Sequence, residues 1–120
     1  MSEDLFLRAE AWAAEDPDPV TAGALRDLVA SARAGNPEAR DELADSFAGA
    51  LAFGTAGLRA ALGPGPNRMN RVVVQRAAAG LARWLVANGH AGARVLIGYD
   101  ARHNSDVFAS DTAEILAGHG

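Results

Sequence analysis

The chain reads Phe53-Gly54-Thr55-Ala56-Gly57-Leu58-Arg59 at its most informative point, where two glycines three positions apart enclose a threonine and an arginine follows. Glycine permits positive φ and lets another group approach the main chain closely. Main-chain N–H groups in such a turn, a hydroxyl and a guanidinium together suit a phosphate. The spacing alone is equally compatible with a turn that binds nothing.

The distribution of charge around this stretch favours an anionic partner. Residues 51–99 contain six arginines and no carboxylate, whereas residues 1–50 contain eleven carboxylates and four arginines, so a net charge of −7 is followed by one of +6. Such an asymmetry is typical of a segment that meets a negatively charged group. The alternative is that the acidic helices simply fold onto the basic segment.

Composition narrows the class of protein. A chain of 120 residues forms one domain at most, and 49% hydrophobic and 22% charged residues are ordinary for a globular protein. The sequence has no cysteine, which excludes disulfides and thiolate metal sites. No apolar run reaches the roughly 20 residues of a membrane helix, and the acidic N-terminus differs from a secretory signal. We therefore expect a cytoplasmic protein without a membrane partner. The net charge of −4 argues against nucleic acid binding.

Hydrophobic periodicity predicts three helices in the first 48 residues. Apolar positions recur at helical spacing over 3–15, and the Asp-Pro repeat at 16–19 ends that helix. Thr21 is predicted to cap a second helix that Gly35 closes, and Asn36-Pro37 to open a third. The carboxylates of the third helix, including Glu42 and Asp45, are expected to form a solvated face.

The remaining residues predict an α/β unit. We expect a short strand at 50–53, an extended segment at 58–62, a surface loop at 63–67, a helix at 70–87, a buried strand at 94–100 and a helix from 105 or 106 onward. The helix at 70–87 is expected to bury one apolar stripe (Val74, Ala77, Leu81, Trp84 and Leu85). The predicted fold is thus α/β, with a mixed, largely parallel sheet and flanking helices, preceded by N-terminal helices. The predicted boundary separates 1–48 from 49–120, and the ligand crevice is expected at the carboxyl ends of the strands.

Other patterns that could support chemistry are sparse. The predicted strand ends at Asp100 and is followed by Arg102 and His103. An aspartate at a strand end commonly pairs with an arginine or accepts hydrogen bonds from loop N–H groups. The alternative is that His103 acts as a general acid or base. No metal-ligand spacing occurs. The third glycine of a dinucleotide fingerprint is missing after Gly57.

Three blocks together resemble a known family, the α-D-phosphohexomutases, which interconvert sugar 1- and 6-phosphates. Residues 53–59 look like the N-terminal signature of that family. Pro66-Asn67-Arg68-Met69-Asn70 and Gly98-Tyr99-Asp100-Ala101-Arg102-His103-Asn104-Ser105 are similar to two further blocks, in the same order, of the branch that contains bacterial phosphoglucomutases, phosphomannomutases and phosphopentomutases. The resemblance implies that this chain is an incomplete first domain of a four-domain enzyme.

The resemblance also implies a mechanism and roles for particular residues. Such enzymes transfer a phosphoryl group between a phosphoserine and the sugar phosphate through a hexose 1,6-bisphosphate, with Mg²⁺ at the phosphoserine. Arg59 is implied as the catalytic residue that contacts the phosphoserine or the transferring phosphate. The residues implied in phosphate binding are Gly54, Thr55, Gly57, Arg59 and Arg102, and no metal ligand is implied in this chain.

The sequence lacks the phosphoserine motif Thr-Ala-Ser-His-Asn-Pro, and also the magnesium, sugar-reading and C-terminal phosphate loops of the family. We therefore expect function to belong to the complete enzyme, with the remaining domains and a glucose, mannose or pentose phosphate as partners. The 120 residues alone are expected to be inactive. The alternatives are a non-catalytic α/β module that binds a phosphorylated ligand and a truncated, marginally folded product.

Overall fold

The computed structural model describes residues 3–54 and 57–119. The residues fall into two compact units, Met1–Asn70 and Arg71–Gly120. Helices α1 (Glu3–Glu15), α2 (Pro19–Arg33) and α3 (Pro37–Ser46) belong to the first unit, and α4 (Arg71–Ala87) and α5 (Ser105–Gly118) to the second. None of the helices in the described ranges is long and apolar enough to cross a bilayer.

The first unit is a three-helix assembly whose core is formed by apolar residues of α1, α2 and α3. Leu25 and Leu43 are fully buried, and the rings of Trp12 and Phe47 meet edge to face with centroids 6.0 Å apart. Burying one such leucine stabilises a fold by about 1.5–3 kcal/mol. These contacts confirm the three helices predicted from periodicity.

Asn36 and Gly35 lie at helix ends as predicted, whereas the cap at the start of α2 differs from the prediction. Asn36 Oδ1 accepts from the N–H groups of Glu38 and Ala39 before α3, and Gly35 adopts a φ of +98° after α2, both as expected. Thr21, however, is not the cap of α2. The cap is Asp18, whose carboxylate accepts from the Val20 N–H at 2.9 Å, because Pro19 supplies a favourable first helical residue and shifts the start. The Thr21 hydroxyl donates to the Asp16 carboxylate instead.

A loop at residues 63–70 is fastened to the end of α3. The side-chain amide of Asn70, only 2% exposed, donates to the carbonyls of Gly63 and Gly65 at 2.8 Å each. Arg68 Nη2 contacts the carboxylates of Glu42 at 2.9 Å and Asp45 at 2.6 Å. These two carboxylates are solvent-exposed, as expected, at 55% and 62% of their side chains, and they also bind Arg68 of the loop.

The second unit is built on the pairing of α4 with α5. Asp111 lies on α5 with 3% of its side chain exposed, and its two carboxylate oxygens accept from Arg71 Nε and Nη2 at 2.8 Å each. This bidentate geometry is the strong form of an arginine–carboxylate contact. It fixes the start of α4 against the middle of α5.

The predicted parallel sheet does not appear among the described residues. Their only β-pairings are two isolated bridges, Gly54 with Gly57 and Leu62 with Met69, and residues 94–100 form no strand. The side chain of Leu96 is 98% exposed. A strand exists only when a neighbour completes its hydrogen bonds, and no described segment lies beside 94–100 in that way.

The buried face of α4 also differs from the prediction. Val72, Val73, Ala78 and Ala82 are its buried residues, whereas Leu81 is 45% and Trp84 58% exposed. The Trp84 ring stacks on His90 at a centroid distance of 6.3 Å instead of entering the core. Because α4 is apolar on most of its surface, periodicity cannot decide which stripe packs inward.

Candidate functional site

The Gly54–Gly57 turn is closed by reciprocal main-chain hydrogen bonds. The Gly54 N–H donates to the Gly57 carbonyl at 3.0 Å, and the Gly57 N–H donates back to the Gly54 carbonyl at 3.1 Å. Gly57 has a φ of +91°, which only glycine adopts readily. Both N–H groups are therefore occupied in shaping the turn and do not point freely at a ligand. Thr55, predicted to bind phosphate, lies outside the described residues.

The arginine that follows this turn is at the surface. Arg59 and both turn glycines are exposed, and the ring of Phe53 is 73% exposed. A guanidinium carries a fork of N–H donors that matches a phosphate or carboxylate. Arg59 is exposed, whereas Arg68 and Arg71 are half-buried and contact carboxylates of their own unit.

The turn and Arg59 are linked to the helical core through the loop at residues 63–70, which is bound to the end of α3. The Leu51 N–H donates to the Pro66 carbonyl at 3.2 Å, and the Met69 N–H donates to the Ala61 carbonyl at 2.8 Å. Leu51 and Ala61, which lie before and after the turn and Arg59, are therefore both hydrogen-bonded to the 63–70 loop. A site held at both ends is better positioned than one on a free loop.

A second polar cluster lies between residue 100 and the start of α5. The Asp100 carboxylate accepts from the Ser105 hydroxyl at 2.8 Å and from the Arg102 main-chain N–H at 3.0 Å and Nε at 2.7 Å. The bond from Ser105, followed by the two from Arg102, lowers the pKa of Asp100 from 3.8 to about 2. The side chain of Arg102 is still 85% exposed. In this unit Arg102 thus pairs with Asp100, one of the two arrangements that we expected at this position.

The other titratable candidates do not assemble into a catalytic group. His103 is exposed, and His119 Nδ1 lies 2.9 Å from the Ile115 carbonyl in the last turn of α5. His90 and His119 line a cavity of about 300 Å³ whose other walls are mostly apolar residues of α4, α5 and 91–97. Across residues 3–54 and 57–119, no three histidine or carboxylate side chains converge as metal ligands.

The comparison with protein families decides the affiliation. The model described as "Phosphoglucomutase/phosphomannomutase, alpha/beta/alpha domain I" matches residues 50–120, more than half of the chain. The chain belongs to this family. The match includes the Gly54–Gly57 turn, Arg59 and the Asp100 cluster, and it confirms the resemblance drawn from the three sequence blocks.

Curated relatives in the phosphoglucomutase/phosphomannomutase family agree. A phosphoglucomutase of Staphylococcus aureus (strain bovine RF122) is 42% identical over 78 residues, which are 65% of this chain and 14% of that protein. A phosphoglucomutase of Staphylococcus saprophyticus is 40% identical over 83 residues, 69% of this chain and 15% of that protein. The match thus spans about one seventh of the relatives' length. No solved structure gives a significant match.

Membership in the family supports the α/β/α class but not the largely parallel sheet that we predicted, since the described residues are mostly helical. The predicted boundary between residues 48 and 49 and the roles of the site residues stay predictions. Sequence reasoning missed one feature, the fastening of the 63–70 loop. The sequence signal for it was the Pro66–Asn70 block. In this block the buried Asn70 amide bonds to carbonyls of the loop, and Arg68 joins the loop to α3.

Proposed function

We propose that the complete protein is a phosphohexomutase that interconverts glucose 1-phosphate and glucose 6-phosphate, with mannose or pentose phosphates as alternative substrates. The choice of glucose is supported by the relatives, which are named phosphoglucomutases. The phosphoserine, the magnesium site and the sugar-reading loop would come from other parts of that protein, as would the hexose 1,6-bisphosphate binding surface. The reaction belongs to carbohydrate metabolism and, in our proposal, to the cytoplasm.

The observation that carries the proposal is the exposed Arg59 two residues after the closed Gly54–Gly57 turn. In our proposal its guanidinium donates a charge-assisted hydrogen bond to an oxygen of the phosphoserine or of the transferring phosphate. Charge spreads over those oxygens as the phosphoryl group moves, so a fixed donor there lowers the barrier. Gly57 sets the path of the chain, and the Thr55 hydroxyl is proposed as a further donor to the same phosphate.

Energetics explain why these residues need the rest of the enzyme. One charge-assisted hydrogen bond contributes about 1.5–3 kcal/mol. Enzymes lower their barriers by at least about 8 kcal/mol. Arg59 alone therefore falls far short, and the 120-residue chain should show no turnover in a coupled assay with glucose 1-phosphate.

The test is a kinetic comparison in the complete protein. Arg59→Ala should lower kcat/KM for glucose 1-phosphate by roughly 10- to 150-fold, the kinetic equivalent of about 1.5–3 kcal/mol. Arg83→Ala, which removes an exposed arginine on α4, is the matched control and should leave kcat/KM unchanged. Equal activity of Arg59→Ala and wild type would reject the role of Arg59. Turnover by the 120-residue chain would contradict the prediction that these residues alone are inactive.

A further inference from the structure

Arg59 is connected by short main-chain paths to the loop at residues 63–70. The Met69 N–H of this loop donates to the Ala61 carbonyl at 2.8 Å, and Ala61 is two residues beyond Arg59. Leu51, on the other side of the glycine turn, is bonded to the same loop. A shift of the loop would therefore be passed on to Arg59.

Arg68 binds this loop to helix α3. Its Nη2 contacts the carboxylates of Glu42 at 2.9 Å and Asp45 at 2.6 Å, and its Nη1 donates to the Asn67 carbonyl at 3.1 Å. Only 12% of the Arg68 side chain is exposed, so water and salt screen these contacts less than those of a fully exposed arginine. Glu42 and Asp45 are three residues apart and thus share one face of α3.

Asn67 strengthens the same junction. Its main-chain N–H donates to the Ser46 carbonyl at 3.0 Å, and its side-chain amide donates to the Asp45 carbonyl at 2.9 Å. Carbonyl groups in the last turn of a helix lack intrahelical partners and can accept from elsewhere. The end of α3 and the loop therefore form one hydrogen-bonded junction, with Arg68 as its charged contact.

We propose that Arg68 is a positioning residue for the mutase reaction, because it holds the loop to Glu42 and Asp45 and thereby keeps Arg59 in place for the transferring phosphate. This inference rests on the proposed function of Arg59. Both carboxylates lie before residue 50, where the match to the domain I model begins. The helices that precede the matched domain thus take part in presenting its arginine.

Arg33 offers a matched comparison within the first unit. Its Nη2 contacts the carboxylates of Glu3 at 3.1 Å and Glu10 at 3.0 Å, so it also joins two carboxylates, but both of these lie on α1. Arg33→Met removes a contact between α1 and α2, whereas Arg68→Met removes one between α3 and the loop. Only the second change should disturb Arg59.

The test is a double-mutant cycle in the complete protein, with kcat/KM for glucose 1-phosphate as the readout. Arg68→Met should lower kcat/KM by roughly fivefold or more, but by no more than Arg59→Ala does, because a slightly misplaced catalytic group loses much of its effect. In the Arg59→Ala background the same change should cost less than about twofold, since Arg68 acts through Arg59. A general loss of folded protein would instead lower activity equally in both backgrounds. Arg33→Met should leave kcat/KM unchanged.

A second variant removes the junction from the side of α3 and decides the question if Arg68→Met does not fold. Glu42→Gln combined with Asp45→Asn removes both charges with little change of shape, and it should reproduce the pattern of Arg68→Met. No loss in these variants, or equal losses in the wild-type and Arg59→Ala backgrounds, would overturn the positioning role even though Arg59→Ala itself lost activity. Full activity of Arg59→Ala would reject the proposed function, and the positioning role with it.

Discussion

Gly65 shows how a single residue fixes the loop behind the candidate site. Its φ is +103°, and a Cβ added there would lie 2.7 Å from the Ser46 carbonyl oxygen, closer than van der Waals contact allows. The Asn70 amide donates to the Gly65 carbonyl at the same point. The loop can therefore lie against α3 only if residue 65 has no side chain.

We predict that Gly65→Ala destabilises the first unit by about 2 kcal/mol or more, since strain at positive φ alone costs about 1–2 kcal/mol and the carbonyl must also move. The free energy of unfolding from urea titrations measures the loss. Gly23→Ala in α2 is the matched control, because a Cβ at Gly23 meets nothing within 4 Å. It should stabilise the helix by about 0.5–1 kcal/mol. Equal losses in the two variants would contradict the packing at Gly65.

Asp100 is the residue whose ionisation the structure alters most clearly. Its pKa is lowered to about 2, and the hydrogen bond from Ser105 is the largest cause. A lowered folded pKa means that this contribution to stability is fully present above the ordinary value of 3.8. It is lost as the pH falls through about 2.

We therefore predict that Ser105→Ala raises the pKa of Asp100 toward 3.8, measured by NMR titration of the carboxyl carbon. Ser110→Ala, an exposed serine on α5, should leave the value near 2. The same low pKa in Ser105→Ala as in wild type would mean that the hydroxyl contributes little. Arg102, next to Asp100, would then be the main cause.

At the scale of the helices, the packing of α4 against α5 depends on one ion pair. Asp111 is the only buried carboxylate of the described residues, and Arg71 satisfies both of its oxygens. Removing one member of a buried pair typically costs about 3–5 kcal/mol. Because the Arg71 side chain is 27% exposed, water offsets part of that cost.

We predict that Asp111→Asn lowers the free energy of unfolding of the second unit by about 2–4 kcal/mol, followed by loss of helical circular dichroism in urea. The asparagine amide would turn a donor toward the donors of Arg71. Glu114→Gln, one turn further along α5 and exposed, makes the same isosteric change and should cost under about 0.5 kcal/mol. A similar small loss in both variants would show that the ion pair does not hold α5 to α4.

Helix ends were predicted from sequence more successfully than packed faces. Asn36-Pro37 and Gly35 act locally, so their residue types suffice to place the boundaries. Trp84 and Leu81 were predicted to be buried and are exposed, because the choice among several apolar stripes of α4 depends on the neighbouring elements. Strand 94–100 was predicted from its apolar run, but a strand also requires a partner.

At the scale of the whole molecule, the family could be recognised from sequence because three short blocks keep their order. The family model matches residues 50–120 of this chain. The stretch that aligns with the two phosphoglucomutases makes up about one seventh of the length of those proteins. The candidate site could be predicted only in part. Arg59 follows a closed turn as the glycines suggest, but the N–H group of each turn glycine donates to the carbonyl of the other.

The central claim is that Arg59 meets a phosphate, and a titration of the ¹⁵N-labelled 120-residue chain with glucose 1,6-bisphosphate, followed by NMR, tests it most directly. We predict saturable shifts of the Gly57 and Arg59 amide signals. Binding should be at least about tenfold weaker in Arg59→Ala, as expected for the loss of one charge-assisted hydrogen bond. It should be unchanged in Arg83→Ala. Equal binding by wild type and Arg59→Ala would contradict the account.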